Sequence, residues 1–272
     1  MGGAWDRVRQ DIAGQVALAC RVKQAVAEHP TAAPADRAAS GGIGTGSQIN
    51  PIRDSLTRVN PMETLLSVVD HLVYATPDVE ATSGSIEALF GVRPVAGGQH
   101  PAWGTRNALV ALGPLTYLEI IGPDPELPPP EGSRPFGVST LKTARLATWV
   151  ARGKELGQIV QRAKRCGLDL GSVQSRSRRR TDGSFLSWTM TDLSMPRAGG
   201  IVPYFIDWGD TPHPASTSPA GCTLLALRAE HPRADQIRMV LDELGLDLPV
   251  ALAAEPALMA IVATPRGQVE LR

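Results

Sequence analysis

The chain has 272 residues, enough for one large core or two smaller ones, and its 27 basic and 27 acidic residues leave no net charge to draw it to nucleic acid or to an anionic membrane. The three cysteines, Cys20, Cys166 and Cys222, are far apart and include no CxxC pair, which argues against a disulfide framework or a thiolate zinc site and favours a reducing compartment. No apolar run approaches the roughly 20 residues that span a bilayer, so we expect a soluble, cytoplasmic protein.

The first 62 residues form a distinct region. Apolar residues recur at near-helical spacing from Asp6 to Glu28, which predicts an amphipathic helix. The stretch from Thr31 to Asn60 is rich in Ala, Gly, Pro and Ser and predicts a disordered linker. Its glycines are not followed by the Gly-Lys-Ser/Thr of a phosphate loop. Met62 directly precedes the first convincing strand, and a translation start there is one hypothesis for this region.

Beyond Met62 the sequence predicts an α+β fold built from a β-α-β-β-β unit that occurs three times. The opening strands are expected at 67–74, 146–150 and 222–227. The helices that follow are expected to end at Gly91, Gly167 and Gly245, because glycine supplies the left-handed backbone that closes a helix. The later strands are expected at 108–112, 116–121, 184–190, 201–208, 257–264 and 268–271.

The unit that opens with Val-Asp-His-Leu-Val-Tyr-Ala at 69–75 and closes with Thr-Tyr-Leu-Glu-Ile-Ile-Gly-Pro at 116–123 resembles the vicinal-oxygen-chelate superfamily. Within that superfamily the fuller match is to the glyoxalase-like domain family. The resemblance covers 67–209, including Gly98–Asn107 and Val202–Gly209, and fades in the third unit. It implies cupped mixed sheets, with a glyoxalase-like domain of two units at 63–212 and a third, partial unit at 213–272.

Superfamily members that are enzymes bind a divalent metal between paired units and carry out glyoxalase, epimerase or extradiol dioxygenase chemistry. Others, similar to bleomycin-resistance proteins, sequester a ligand without a metal. The resemblance therefore implies either a metal-assisted lyase, isomerase or dioxygenase that acts on a small oxygenated molecule, or a metal-free binding protein. No Gly-x-Ser-x-Gly elbow, HExxH helix or dinucleotide glycine pattern is present, so serine hydrolase, metalloprotease and Rossmann functions are not indicated.

His71 and Glu119 are the central candidate residues. Alternation along the strands places His71 on one face of its strand, and it places Glu119 together with Tyr117 on one face of theirs. A carboxylate in so apolar a strand needs a partner, and His71 is the nearest candidate. The resemblance implies that His71 and Glu119 are metal ligands, and Asp207 in the second unit completes a set for zinc, iron, manganese or nickel. The alternative is a buried His–Glu hydrogen bond that only fixes strand register.

The second unit departs from the superfamily pattern. Its first strand offers only Ala147 or Thr148 where the first unit has His71, so a metal site here lacks its usual second histidine. This departure is the reason for keeping the metal-free alternative open.

A second group of candidates surrounds this pair. His100, in a Gly- and Pro-rich segment, is expected to act as an acid or base near neutral pH, unless it is an ordinary surface histidine. The run from Arg176 to Arg180 can clamp an anion with one face only, through Arg178 and Arg180 or through Arg179. The remaining candidates for substrate contact are Trp103, Arg106, Asn107, Tyr117, Trp208 and His213.

The third unit has no partner unit in the chain, whereas superfamily clefts form between paired units. We expect it either to cover an edge of the first pair or to pair with its counterpart in a homodimer. The partner expected for the site is a small molecule, not nucleic acid or membrane.

Overall fold

A computed structural model describes residues 61–180, 182–195 and 197–272. The helix and linker predicted before residue 61 lie outside this part of the chain. The helices are α1 (Pro61–Val68), α2 (Val79–Phe90), α3 (Leu156–Arg165) and α4 (Ala234–Glu243). The strands are β1 (Val69–Ala75), β2 (Val95–His100), β3 (Thr105–Gly113), β4 (Thr116–Pro123), β5 (Arg145–Arg152), β6 (Val173–Arg179), β7 (Phe185–Thr191), β8 (Tyr204–Asp207), β9 (Thr223–His231), β10 (Val250–Leu252), β11 (Ala257–Thr264) and β12 (Gly267–Leu271).

Each of the three units has the predicted element order, and the predicted glycines close the helices. Gly91, Gly167 and Gly245 have φ values of 75°, 79° and 75°, in the left-handed region. Several strand boundaries differ from the prediction, among them the following two. Residues 67 and 68 belong to α1 and not to the first strand, and the strand expected at 201–208 is limited to Tyr204–Asp207.

The first two units form one closed barrel with the strand order β1-β4-β3-β2-β6-β7-β8-β5. In each unit the first strand runs parallel to the last, as β1 does to β4 and β5 does to β8. The two units meet through antiparallel β1 and β5. The eight strands are therefore a single mixed sheet that closes on itself, so the cupped mixed sheets implied by the resemblance are joined into one barrel.

Closure occurs between β2 and β6, where Gln99 pairs with Arg179. The neighbouring glycines permit this close approach. A Cβ atom at Gly98, which has a φ of 148°, would overlap the backbone carbonyl of Arg179, and one at Gly97 would overlap the Asn107 and Arg178 side chains. The glycine pair thus makes room both for the sheet to close and for polar groups inside the barrel.

The strands alternate between two apolar layers. Leu72 and Trp149 point outward into a large core shared with the helices, whereas Val73, Val150 and Ile206 point into the barrel. The barrel interior is thus partly filled by apolar side chains, and its remaining space forms the site described below.

The third unit forms a separate four-stranded sheet with the order β10-β9-β11-β12. Here β9 pairs in parallel with β10 and antiparallel with β11, so its pairing differs from that of the first two units although its element order is the same. Leu227 and Val262 of this sheet belong to the same buried core as Leu72 and Trp149 of the barrel. The sheet packs against the outside of the barrel and does not cover an edge strand, because closure leaves no edge there.

No helix within the described ranges combines the length and apolar character needed to cross a membrane.

Candidate functional site

The inside of the barrel contains a narrow cavity with a polar floor. It has about 30 Å³ of open space and is lined by His71, Asn107, Tyr117, Glu119 and Arg178, with apolar side chains from β5, β7 and β8. A water molecule needs roughly 10–15 Å³ of such space, so this inner cavity has room for about two waters. Sequence alternation placed His71, Tyr117 and Glu119 on matching faces, and the structure brings all three to this cavity.

Asp70 is a residue of this site that the sequence did not predict. Regular alternation would point it away from His71, but a register shift between Val69 and His71 breaks the pairing of β1 with β5 at this position. Asp70 is fully buried, and its carboxylate accepts hydrogen bonds from Trp208 Nε1 at 3.1 Å and from His213 Nε2 at 3.1 Å. A carboxylate in an apolar strand was a visible signal, because the same reasoning had singled out Glu119.

These contacts keep Asp70 ionised. Burial alone would raise its pKa, but the hydrogen bonds with His213 and His71 outweigh burial and lower the pKa to about 2. His213 Nδ1 accepts from the backbone N–H of Ala215 at 3.2 Å, so its Nε2 carries the proton given to Asp70. His213, a predicted substrate contact, lines neither cavity described below and instead contacts Asp70.

The ionised Asp70 also orients the His71 ring. Asp70 Oδ1 lies 2.7 Å from His71 Nδ1, and because this carboxylate can only accept, Nδ1 carries a proton. In the neutral ring the lone pair is then on Nε2, which lies 3.7 Å from Glu119 Oε2 at the cavity. Tyr117 stacks on the imidazole with ring centroids 4.6 Å apart, and burial raises the pKa of its hydroxyl well above 10. His71 is therefore a fixed imidazole with one nitrogen available to the cavity.

A second chain of polar contacts approaches His71 from the opposite side. Asn107 Nδ2 donates to Glu119 Oε1 at 2.5 Å, and Arg178 Nη1 donates to Asn107 Oδ1 at 3.5 Å. Burial lowers the pKa of the Arg178 guanidinium, and the nearby Tyr117 and Glu119 oppose that shift. Arg178 therefore places a buried, positively charged group beside the inner cavity.

His100 is buried, not on the surface. It is the last residue of β2, its Nδ1 lies 3.1 Å from Thr105 Oγ1, and burial lowers its pKa to about 4, against an opposing effect of Glu119. It is therefore neutral at pH 7. The expectation that His100 titrates near neutral pH is wrong, because a fully buried imidazole loses the solvation that stabilises its charged form.

A wider cavity of about 770 Å³ adjoins the inner one. The two share four residues, His100, Trp103, Trp188 and Trp208, which we call the mouth. The rest of the wider cavity is formed mainly by β6, β7 and the segment that follows β8. The predicted substrate contacts Trp103 and Trp208 thus lie at the boundary between the two spaces.

Three predicted residues lie elsewhere. Arg106 alternates with Asn107 along β3 and lines neither cavity, and Arg180 follows the end of β6 and also lines neither. Arg179 is exposed. Two other members of the run, Arg176 and Arg178, line the wider and the inner cavity respectively.

Asp207 does not join His71 and Glu119. Its neighbour Ile206 points into the inner cavity, so alternation turns Asp207 away, and its carboxylate lies 2.6 Å from Lys154 Nζ beside the wider cavity. The hydrogen bond from Lys154 lowers the pKa of Asp207. The described residues include no cluster of three or more His, Cys, Asp or Glu side chains that can hold a metal ion. The residues present thus do not fit the three-ligand metal site expected from His71, Glu119 and Asp207.

The comparisons with known proteins agree with this architecture. The family model described as a glyoxalase-like domain matches residues 69–245, well over half of the chain. No curated protein matches significantly. Among solved structures, a hypothetical protein from Staphylococcus aureus is 11% identical, with 74% of this chain and 83% of that chain covered and a TM-score of 0.52.

Two further solved structures cover about half of this chain. Methylmalonyl-CoA epimerase from Mycobacterium tuberculosis is 20% identical, with 52% of this chain and 88% of that chain covered and a TM-score of 0.35. The Streptomyces coelicolor epimerase, solved as a serine-to-threonine variant in complex with 2-nitronate-propionyl-CoA, is 17% identical, with 53% and 95% covered and a TM-score of 0.35.

The fold and its buried polar cluster define a mixed β-barrel of paired β-α-β-β-β units with a site inside the barrel. The chain belongs to the glyoxalase-like domain family. The family match continues into the third unit as far as Gly245, whereas the sequence resemblance faded there.

Proposed function

We propose that this protein is an enzyme that binds a small oxygenated molecule so that its reacting end passes the mouth. His71 acts as the acid or base and moves a proton to or from that end of the molecule. The observation that carries the proposal is the orientation of His71: a buried, ionised carboxylate holds Nδ1 at 2.7 Å, which leaves Nε2 to the cavity. An imidazole whose orientation and tautomer are fixed in this way is the usual form of a general base.

The surrounding groups support this chemistry. Removal of a proton next to a carbonyl leaves negative charge on the carbonyl oxygen, and the buried Arg178 guanidinium is placed to stabilise it. Glu119, held by Asn107, lies 3.7 Å from Nε2 and stabilises the imidazolium once His71 has taken the proton. Return of the proton to the same or a neighbouring atom gives an isomerase, and loss of a neighbouring group gives a lyase.

The sizes of the two cavities determine which part of a ligand each cavity can hold. The inner cavity has room for only a few atoms, so the body of the ligand occupies the wider cavity and its reacting end passes the mouth toward His71. Entry of that end displaces the water that the inner cavity can hold, which strengthens the electrostatic interactions within it.

Exchange of substrate hydrogen with solvent tests the proposal. Candidate 2-oxo acids, 2-hydroxy acids and thioesters are incubated with the protein in D2O, and deuterium incorporation is followed by proton NMR. We expect His71→Gln to lower the exchange rate by about 10²–10⁴-fold, the usual contribution of a positioned general base. His231→Gln, which replaces a buried histidine of the third sheet, is the matched control and should retain the wild-type rate.

Two outcomes would contradict proton transfer by His71. They are exchange that is unaffected by His71→Gln, and the absence of exchange with every compound tested. Saturable binding of one of these compounds without exchange would assign the protein to the ligand-sequestering class instead.

A metal-assisted version of the reaction is the second candidate. One observation favours it, namely the contact between Asp70 and His71 Nδ1. When a histidine binds a metal through one ring nitrogen, its other ring nitrogen usually donates to a carboxylate or carbonyl. In the described part of the chain no third His, Cys, Asp or Glu joins His71 and Glu119, which opposes the metal-assisted version. We expect elemental analysis of the purified protein to find well below one metal ion per chain, and equally little in His71→Ala/Glu119→Ala. About one ion per chain that the double substitution removes would instead establish the metal-assisted reaction.

A further inference from the structure

Indole rings form much of the wall of the wider cavity. Trp103, Trp188 and Trp208 line it, and they are three of the five tryptophans in the chain. The rings of Trp188 and Trp208 have centroids 5.2 Å apart and are tilted by 47°. Such rings bind another flat ring by offset stacking or edge-to-face contact. A cavity of about 770 Å³ is also large enough for a ligand with one or two rings.

Arg176 brings a positive charge to the same cavity. Its guanidinium carbon lies 5.4 Å from the centre of the Trp103 ring, and the two side chains line the cavity together. Within the described residues its Nε is buried and has no hydrogen-bond partner. Asp207, the acid that lines this cavity, is paired with Lys154. Because Nε is covered, an anionic oxygen of a ligand in the cavity would pair with the Nη groups of this guanidinium, for which a charged, bidentate acceptor is the strongest partner.

Hydroxyl groups provide further polar contacts along the wall. Ser175 and Ser177 of β6 and Ser187 of β7 line the cavity, and Ser177 is directly opposite Ser187 in the strand pairing. Hydroxyls both donate and accept, so they suit oxygen substituents on a ring without demanding a particular charge. The wall thus combines flat apolar surfaces, one cationic group and neutral polar groups.

We propose that the wider cavity binds a planar aromatic or conjugated carboxylate, with its ring against the tryptophans and its carboxylate on Arg176. This deepens the function proposed above, on which it rests for the assignment of the wider cavity to the body of the substrate. A sugar would also stack on tryptophan and use the hydroxyls, but it would leave Arg176 without a counter-charge. The charge on Arg176 therefore favours an acid over a neutral ring.

Calorimetric titration of the wild-type protein with three related compounds tests the two parts of the proposal separately. The probes are 2-naphthoate, which is planar and anionic, 2-naphthamide, which is planar and neutral, and decalin-2-carboxylate, which is anionic and not planar. We expect 2-naphthoate to bind at least about tenfold more tightly than either of the others, because each of them loses one of the two interactions.

A matched pair of variants assigns the anion contact. Arg176→Gln should weaken 2-naphthoate about tenfold or more and leave 2-naphthamide unchanged, because it removes the charge and keeps much of the side-chain length. Arg179→Gln removes an exposed charge that lines neither cavity and should bind all three compounds as the wild type does. Thermal unfolding of both variants verifies that they are folded.

The proposal is overturned by any of three results. Equal binding of decalin-2-carboxylate would refute the planar ring, equal binding of 2-naphthamide or an unaffected Arg176→Gln would refute the carboxylate, and no heat with 2-naphthoate up to its solubility limit would refute the site. These measurements report binding alone, so they are distinct from the exchange experiment. Loss of exchange in His71→Gln with no 2-naphthoate binding would leave proton transfer standing and refute only this ligand class.

Discussion

Asp70→Asn should lower the rate of substrate hydrogen exchange by about 10²–10⁴-fold although Asp70 does not line either cavity. The asparagine amide presents N–H groups where the carboxylate accepted hydrogen bonds from His71, His213 and Trp208. The His71 ring then loses the acceptor that keeps the proton on Nδ1, and its Nε2 lone pair is no longer fixed toward the cavity. The exchange assay in D2O measures the loss.

The same substitution should also lower the free energy of unfolding, by roughly 2–4 kcal/mol, because it leaves buried N–H groups without a proper acceptor. Nitrogen-15 NMR of the imidazole separates positioning from stability, because it reports which ring nitrogen carries the proton. We expect the proton on Nδ1 of His71 in the wild type and a mixture in the variant. Asp182→Asn, in an exposed turn, should change neither property. Wild-type exchange in Asp70→Asn would refute the positioning role.

The parts of the fold that depend on local sequence were predictable. Helix ends at Gly91, Gly167 and Gly245 follow from backbone conformations that glycine adopts readily, and the order of strands and helices follows from hydrophobic periodicity. Strand pairing depends on contacts between distant segments. The third unit has the same element order as the first two, yet β9 takes both of its neighbours from within its own unit. Barrel closure depends in the same way on the approach of Gly97 and Gly98 to β6.

The site was predictable where strand alternation is regular and unpredictable where it is not. The regular pairing of β1 with β4 brings His71 and Glu119 to one cavity, 3.7 Å apart. The register shift beside Asp70 cannot be recognised from the sequence, so the residue that orients His71 was missed. Asp207 was predicted as a third metal ligand because it is a carboxylate near a strand end. Its side chain points away from His71 and Glu119 and pairs with Lys154 instead.

The burial of polar side chains was also not predictable from residue type. His100 follows two glycines and precedes a proline, a composition typical of a surface loop, but it ends a barrel strand and is only 4% exposed. Arg178 is 5% exposed, whereas Arg179 beside it is exposed. In both cases the closed barrel, and not the local sequence, determines which polar groups are removed from water.

The low pKa of His100 should make the protein lose stability in mild acid. In the unfolded chain this imidazole takes up a proton near its ordinary pKa of 6.5, whereas in the folded protein it remains neutral down to about pH 4. As the pH falls through this window the unfolded state gains a proton that the folded state does not, so the free energy of unfolding falls by roughly 3 kcal/mol in total. The loss that comes from Asp70 is confined to lower pH, between 3.8 and about 2.

Urea unfolding at pH 7 and at pH 4.5 measures this loss, and His100→Gln isolates the part that comes from His100. Glutamine has no proton to gain in this range and can still form a hydrogen bond with Thr105, so the variant should lose much less stability than the wild type between the two pH values. His231 also has a pKa lowered by burial, but it is present in both proteins, and the difference between them cancels its contribution. Equal losses in the two proteins would mean that the buried imidazole is protonated in the folded state at pH 4.5, and would remove the basis for treating His100 as neutral at the mouth.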